Sequence, residues 1–183
     1  MFAHPLGDGA ELRPLEPWQA EEFLTHMDRA RADVDEWIPF ATRSTDLDAA
    51  RHTLQRYADM QAADTGRILG IWLDGTLVGG CMVFGFDAGS GNCEVGVWLE
   101  PAGQGRGLVT RAVRHLLDWV FGVRGMSRAE WHTSPKNARS LAVAERLGFT
   151  REGVLRESYP YRGVRHDTVI LSVLAHEWQA RPA

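Results

Sequence analysis

The chain has 183 residues, of which 44% are hydrophobic, so it can bury one substantial core and is most simply a single domain over residues 1–183. Its formal net charge is −4 and its basic residues are scattered, which gives no footprint for a nucleic-acid or anionic-membrane partner. No apolar run reaches membrane-spanning length, and residues 1–5 are not typical of a signal peptide.

The two cysteines, Cys81 and Cys93, fit neither a metal cluster nor the disulfide framework of a secreted protein. We therefore expect a reducing cytoplasm, no bound metal, and two thiols buried in strands as small apolar residues. A disulfide between neighbouring strands is the less favoured alternative.

The first third of the chain predicts one strand followed by two helices. Residues 10–15 are typical of a short edge strand, and Pro17 then occupies the first turn of a helix. After an aromatic loop at residues 37–40, Ser44 or Thr45 is expected to cap the second helix.

The centre of the chain changes to the two-residue period of strands. Residues 68–73 and 76–84 flank Asp74-Gly75, which is the signal of a two-residue hairpin. Gly79-Gly80 inside the second run indicates a bulge or a close backbone approach.

A fourth strand, over residues 93–99, leads into a glycine-rich turn, and apolar residues then recur at helical spacing from Leu108. Gly103, Gly105 and Gly107 let the backbone turn tightly and bring its amides close to a ligand. A strand, a glycine turn and a helix together present N–H groups and a helix dipole to a phosphate. We therefore expect an anionic ligand at this turn.

Two nucleotide-binding motifs fail on spacing at the same turn. A Walker loop requires Lys-Ser/Thr after its last glycine, whereas Leu108 and Val109 follow Gly107 here. A dinucleotide fingerprint requires glycine at the sixth position from Gly103, which is Leu108 in this chain. No acidic residue follows at the distance needed to bind a ribose.

The last third predicts a strand, a helix and two further strands. The strand covers residues 129–134, and the helix begins near Asn137 and ends at Gly148. The final strands are expected at residues 149–157 and 164–174.

Two separated motifs resemble the GNAT superfamily of acyl-CoA-dependent N-acyltransferases. The first, similar to its pyrophosphate loop but with valine where glycine or alanine is usual, is Gln104-Gly105-Arg106-Gly107-Leu108-Val109. The second, similar to its late helix, is Asn137-x-x-Ser140-x-x-Val143-Ala144-Glu145-Arg146-Leu147-Gly148-Phe149. The RimJ/RimL branch, whose named members acetylate protein N-termini, is further resembled at Trp37-Ile-Pro-Phe40, Gly153-Val-Leu-Arg156-Glu157, Gly163, Asp167 and Glu177-Trp178.

The resemblance covers nearly the whole chain and implies an α+β fold with a mixed, mostly antiparallel twisted sheet, splayed at the CoA site and flanked by helices. It implies an N-acyltransferase that uses acetyl-CoA and no metal, in which the amine attacks the thioester directly in a ternary complex. The cofactor contacts that it implies are Gln104, Gly105, Arg106, Gly107, Leu108 and Val109 in the loop, the backbone of Val97 and Leu99, and Asn137 and Ser140.

For proton transfer the resemblance points to two residues. Ala144 stands where the family has tyrosine, so the role of that tyrosine is not carried over. Ser140, one helical turn earlier on the same face, looks like the serine that contacts the thiol in RimL-like proteins; the alternative is a helix-start hydroxyl satisfied by backbone. Glu94 resembles the position from which many GNAT enzymes deprotonate the amine, and it shares a strand face with Gly96 and Trp98. The alternative is a solvated glutamate that pairs with a cross-strand cation.

The acceptor site is less defined by the sequence. Trp37 and Trp98 are predicted to line it, whereas a tryptophan elsewhere is more often a core residue. His132 and His166 are conceivable bases for which a structural role is favoured.

Three functions stay open at this point. The resemblance favours acetylation of a protein or peptide N-terminal amine over a small-molecule amine or a longer donor such as succinyl-CoA. A CoA-binding module without catalysis is the third possibility, because Ala144 replaces the family tyrosine. No nucleic-acid or membrane partner is expected, and a homodimer is left open.

Overall fold

The computed structural model describes residues 3–39 and 41–181, so Phe40 of the predicted aromatic loop and the two residues at each terminus lie outside it. Its strands are β1 His4–Gly7, β2 Ala10–Pro14, β3 Arg67–Leu73, β4 Thr76–Asp87, β5 Asn92–Leu99, β6 Arg128–Thr133, β7 Thr150–Tyr161 and β8 Val164–Leu174. Its α-helices are α1 Ala20–Val34, α2 Leu47–Ala62, α3 Leu108–Asp118, α4 Ala138–Arg146 and α5 Ala175–Gln179.

The strands form one sheet in the order β1-β2-β3-β4-β5-β6-β8-β7. The pairs β1–β2, β2–β3, β3–β4, β6–β8 and β7–β8 are antiparallel, whereas β5 runs parallel to β6. This is the mixed, mostly antiparallel sheet of an α+β protein, so the predicted fold class is confirmed.

The chain divides into two compact units, and β4, β5 and α3 each contribute to both. The first unit comprises Met1–Val83 and Val97–Ala112. Its largest fully buried side chains come from α1, α2 and the strands β2 to β4, and include Leu12, Phe23, Met27, Leu54, Leu69, Ile71, Trp72 and Leu77.

The second unit comprises Phe84–Gly96 and Val113–Ala183. Its core includes Leu116, Leu117, Trp131, Val169, Leu171 and Val173. Trp131 of β6 meets Phe149 edge to face, with ring centroids 5.6 Å apart. An edge-to-face contact is a preferred geometry for aromatic pairs, so it fixes the orientation of the Trp131 indole.

The central hairpin forms as predicted. Asp74 and Gly75 adopt φ values of +49° and +79°, as a type I′ turn requires. Gly80 of β4 confirms the predicted close approach, because a Cβ there would overlap the Trp98 ring and the Leu69 carbonyl.

Two local predictions were wrong. The strand at residues 10–14 is not an edge strand, because β1 pairs with it on the side opposite β3. β1 has only four residues, one of them proline, which is too short for a periodic signal. The N-cap of α2 is neither Ser44 nor Thr45. It is Asp46, whose carboxylate accepts from the Ala49 amide at 2.8 Å.

Both cysteines are free and buried in strands, as predicted. Burial raises the pKa of each thiol to about 12, so Cys81 and Cys93 stay protonated at neutral pH. No helix within residues 3–39 and 41–181 has the length and apolarity needed to cross a membrane.

Candidate active site

The glycine-rich loop lies in the first unit, directly after β5. Gly105 and Gly107 have φ values of +75° and +70°, and a Cβ at either position would meet no atom within 4 Å. Helix α3 begins at Leu108, and its first bond joins the Arg111 amide to the Gly107 carbonyl at 3.1 Å. The amides of residues 108–110 therefore have no intrahelical acceptor, which is the arrangement that suits a phosphate.

Arg111, in the first turn of α3, contacts the backbone of this loop through its side chain. Its guanidinium donates to the Arg106 carbonyl at 3.0 Å and pairs with Asp8 at 2.9 Å. The side chain of Arg106 is itself exposed. Sequence reasoning missed Arg111, because its partner Asp8 lies in the β1–β2 turn, far away in sequence.

A buried polar cluster anchors the start of the loop. The Trp98 indole N–H donates to His26 Nε2 at 2.9 Å, and His26 Nδ1 lies 3.0 Å from Glu100 Oε2. An indole only donates, so Nε2 is an acceptor and the His26 proton sits on Nδ1, donated to Glu100. Arg29 also donates to Glu100, at 3.2 Å, and to the Leu77 carbonyl at 2.8 Å.

Burial keeps His26 neutral. Burial lowers the pKa of His26 to about 4, against the opposing effect of the Glu100 carboxylate. Glu100 in turn donates its amide to the Val78 carbonyl at 2.9 Å and accepts from the Gly103 amide at 3.1 Å. The cluster therefore fixes the end of β5 and the entry to the glycine loop.

In the second unit, Glu94 lies where β5 and β6 cease to pair. The parallel ladder joins residues 92–94 to residues 128–130, while β6 continues to Thr133 against β8. Glu94 therefore stands opposite Glu130, and His132 follows on the same face of β6. His132 Nδ1 lies 3.3 Å from Glu94 Oε2, and His132 Nε2 lies 2.8 Å from Glu130 Oε2.

The two carboxyl groups of this cluster titrate differently. Burial, together with the nearby charge of Glu130, raises the pKa of Glu94, against the effect of His132. Burial also acts to raise the pKa of Glu130, but hydrogen bonds from Arg128 and His132 lower it overall. A raised carboxyl pKa is what a general base for an ammonium group needs.

Ser140 is oriented from both sides in the first turn of α4. Its amide donates to the Asn137 carboxamide at 3.1 Å, so Asn137 is the N-cap of this helix. The buried Trp131 indole donates to Ser140 Oγ at 2.9 Å. Because Oγ is the acceptor in that bond, the hydroxyl proton of Ser140 is not used in it.

The remaining predicted site residues differ in how deeply they are buried. Trp37, Val97 and Leu99 are half-buried, whereas Trp98 is 3% exposed and belongs to the His26 cluster. These contacts of Trp98 are those of a core residue, and its place in an acceptor cleft stays a prediction. Among the described residues no group of three or more His, Cys, Asp or Glu side chains has the arrangement of a metal site.

Residues 10–150 match the acetyltransferase (GNAT) domain family. The chain belongs to this family. It is an acyltransferase of the GNAT N-acetyltransferase type, and the following relatives support the RimJ/RimL-like branch.

One curated relative and two solved structures resemble the chain over almost its full length. The putative ribosomal N-acetyltransferase YdaF of Bacillus subtilis (strain 168) is 29% identical, with 98% of each chain covered. The crystal structure of a probable acetyltransferase has a TM-score of 0.89 at 29% identity, covering 97% of this chain and 99% of that one. RimL, a ribosomal L7/L12 alpha-N-protein acetyltransferase in complex with coenzyme A, has a TM-score of 0.88 at 19% identity, covering 96% and 99%.

The buried His26 predicts a specific pH dependence of stability. Its pKa of about 4 in the folded chain lies below the ordinary value of 6.5, so the unfolded chain takes up a proton first as the pH falls. The free energy of unfolding should therefore decrease between about pH 6.5 and about pH 4, by up to ~1.4 kcal/mol per pH unit from this residue. Denaturant unfolding across this range should show a shallower pH dependence for His26→Gln than for the native chain.

The matched control is His52→Gln on the exposed face of α2, which should keep the native slope. An unchanged slope in His26→Gln would show that another group is responsible.

Proposed function

We propose that the chain, acting as one domain over residues 1–183, transfers the acetyl group of acetyl-CoA to the N-terminal amine of a protein. The observation that carries the proposal is the loop after β5, whose two left-handed glycines have open space at their Cβ positions just before α3 begins. The name of YdaF, a putative ribosomal N-acetyltransferase that the chain matches over 98% of its length, supports a protein acceptor.

The loop would bind the CoA diphosphate mainly through its backbone. The amides of residues 105–109 precede and open α3, where the helix dipole favours negative charge, whereas the Gln104 amide donates to the Pro101 carbonyl at 3.1 Å. Arg106 would add a peripheral contact through its exposed side chain. The backbone of Val97 and Leu99 and the carboxamide of Asn137 would contact the pantetheine arm, with a β5 amide as donor to the oxyanion.

The acyl transfer requires two proton transfers, which the proposal assigns to Glu94 and Ser140. Glu94 would remove a proton from the ammonium group, so that the neutral amine attacks the thioester carbonyl. The tetrahedral intermediate then loses its C–S bond, and Ser140 would give its proton to the departing thiolate. The second proton leaving the nitrogen restores the Ser140 hydroxyl, so the net products are the amide, the CoA thiol and one released proton.

An acceptor panel tests the proposal directly. Thiol release from acetyl-CoA should be fast with peptides that carry free N-termini and slow with the same peptides blocked by N-terminal acetylation. Mass spectrometry should place the added acetyl group on the N-terminal amine. A faster reaction with small polyamines, or with succinyl-CoA as the donor, would instead indicate one of the alternative acyltransferase activities. The absence of thiol release with every acceptor would favour a CoA-binding module without catalysis.

Binding of CoA can be tested at the glycine loop with a matched pair of substitutions. Gly107 and Gly125 share a positive φ and open space at the Cβ position, so alanine should cost each about 1–2 kcal/mol of backbone strain. Only Gly107→Ala places a methyl group in the proposed phosphate site, and it should raise the Kd for CoA at least about tenfold by calorimetry. Arg106→Ala should have a smaller effect. Equal CoA affinity in the two glycine variants would contradict the loop assignment.

A thiolate-protonating role of Ser140 predicts a loss confined to turnover. Ser140→Ala should lower kcat about tenfold or more while the Kd for CoA changes by less than about twofold, because the hydrogen bond forms as the thiolate departs. Trp131→Phe, which removes the indole donor to Oγ, should slow the native enzyme but should not slow the Ser140→Ala variant further. If Ser140→Ala loses thermal stability and activity in parallel, Ser140 is a helix-start hydroxyl only.

A further inference from the structure

His132 of β6 lies between two carboxylates, Glu94 and Glu130, at 3.3 and 2.8 Å. Glu130 is held on its far side by Arg128, whose Nε donates to it at 2.9 Å. Arg128 also donates to Glu152 at 2.7 Å, and Glu152 accepts from the Ser172 hydroxyl at 2.7 Å. The orientation of the imidazole is thus set by a chain of charged hydrogen bonds across β6, β7 and β8.

The number of protons on His132 determines which contacts in this cluster can be hydrogen bonds. In the form of the cluster that can take up a proton, the imidazole is neutral with one N–H, and the shorter contact to the ionised, arginine-bound Glu130 places that N–H on Nε2. Nδ1 is then an acceptor, and it faces the Glu94 carboxylate, which is also an acceptor. These two acceptors cannot form a hydrogen bond with each other until a further proton lies between them.

We infer that His132 shares with Glu94 the proton taken from the acceptor ammonium, and that Glu130 is the positioning residue that keeps His132 Nδ1 aimed at Glu94. The inference rests on the proposed function, in which Glu94 is the base. The ammonium N–H bond breaks, its electron pair stays on nitrogen for attack, and the proton lies between Glu94 Oε2 and His132 Nδ1 until solvent removes it.

The arrangement has a physical advantage over a lone glutamate. A half-buried carboxylate that takes a proton must hold it without a partner, and a second acceptor at hydrogen-bond range stabilises the protonated state. The charged groups facing the pair are Glu130 and, through it, Arg128, with Glu152 beyond. Because Glu130 stays ionised, the cluster can accept the proton and release it again within one turnover.

The decisive substitution is His132→Gln. A glutamine amide can still donate to Glu130 as Nε2 does, but it removes the Nδ1 acceptor opposite Glu94. We expect kcat/KM to fall at least about tenfold while the Kd for CoA stays within about twofold. Since both residues act on one proton, the double variant Glu94→Gln/His132→Gln should be no slower than Glu94→Gln by more than about twofold.

A pH profile gives a readout that a purely structural role would not move. Glu130→Gln removes the negative charge that raises the pKa of Glu94, so the acidic limb of kcat/KM should shift to lower pH. His176→Gln on α5, an exposed histidine in the same unit, should keep the native rate and profile.

The outcomes separate the inference from the proposal beneath it. A slow Glu94→Gln enzyme beside a native-like His132→Gln enzyme, or additive losses in the double variant, would overturn the role of His132 alone. A Glu94→Gln enzyme with native rate and native acidic limb, still transferring acetyl groups, would overturn the assignment of Glu94 as base.

Discussion

The buried bond between His26 and Glu100 is the interaction on which the candidate CoA loop depends. A carboxylate that is 4% exposed would cost several kcal/mol to bury alone, and the neutral imidazole N–H and the Arg29 guanidinium offset that cost. The residues that satisfy Glu100 come from α1, whereas Glu100 itself immediately precedes the glycine turn. Fixing one charge therefore fixes where the loop begins, and removing the His26 donor would leave that buried charge short of a partner, which typically costs roughly 1–3 kcal/mol or more.

The His26 cluster and the His132 cluster differ in how completely their hydrogen-bonding groups are paired. In the Trp98–His26–Glu100–Arg29 cluster each nitrogen of the imidazole has a partner of the opposite hydrogen-bonding character, which is typical of a network that specifies one packed arrangement. In the Glu94–His132–Glu130 cluster the neutral form of His132 sets two acceptors against each other at 3.3 Å, and the side chains of Glu94 and His132 are 27% and 28% exposed. Local conflict of this kind is expected at sites of chemistry rather than in the supporting core.

Much of the fold was readable because its signals are local. The Asp74-Gly75 hairpin, the glycine turn before α3 and the Asn137 cap of α4 each rest on the conformational preferences of one or two residues. The errors arose where two neighbours compete for one role, as at the α2 cap, where Asp46 takes the helix amide while Ser44 is buried against Thr53. β1 was not predicted, because a strand of four residues is too short to show an alternating pattern and is defined only by its pairing with β2.

By itself the sequence determined the α+β class, the position of the candidate CoA loop and the candidacy of Glu94 and Ser140, since glycine placement, strand alternation and motif spacing are properties of the chain. Only the tertiary structure decided what surrounds those residues. Glu94 meets Glu130 and His132 through the register of two parallel strands, and Ser140 meets Trp131 through the packing of α4 on β6. Trp98 shares a strand with Glu94 but bonds to His26 of α1 instead. Such partners lie tens of residues apart, and a pKa or a hydroxyl orientation follows from distance in space, which no local pattern encodes.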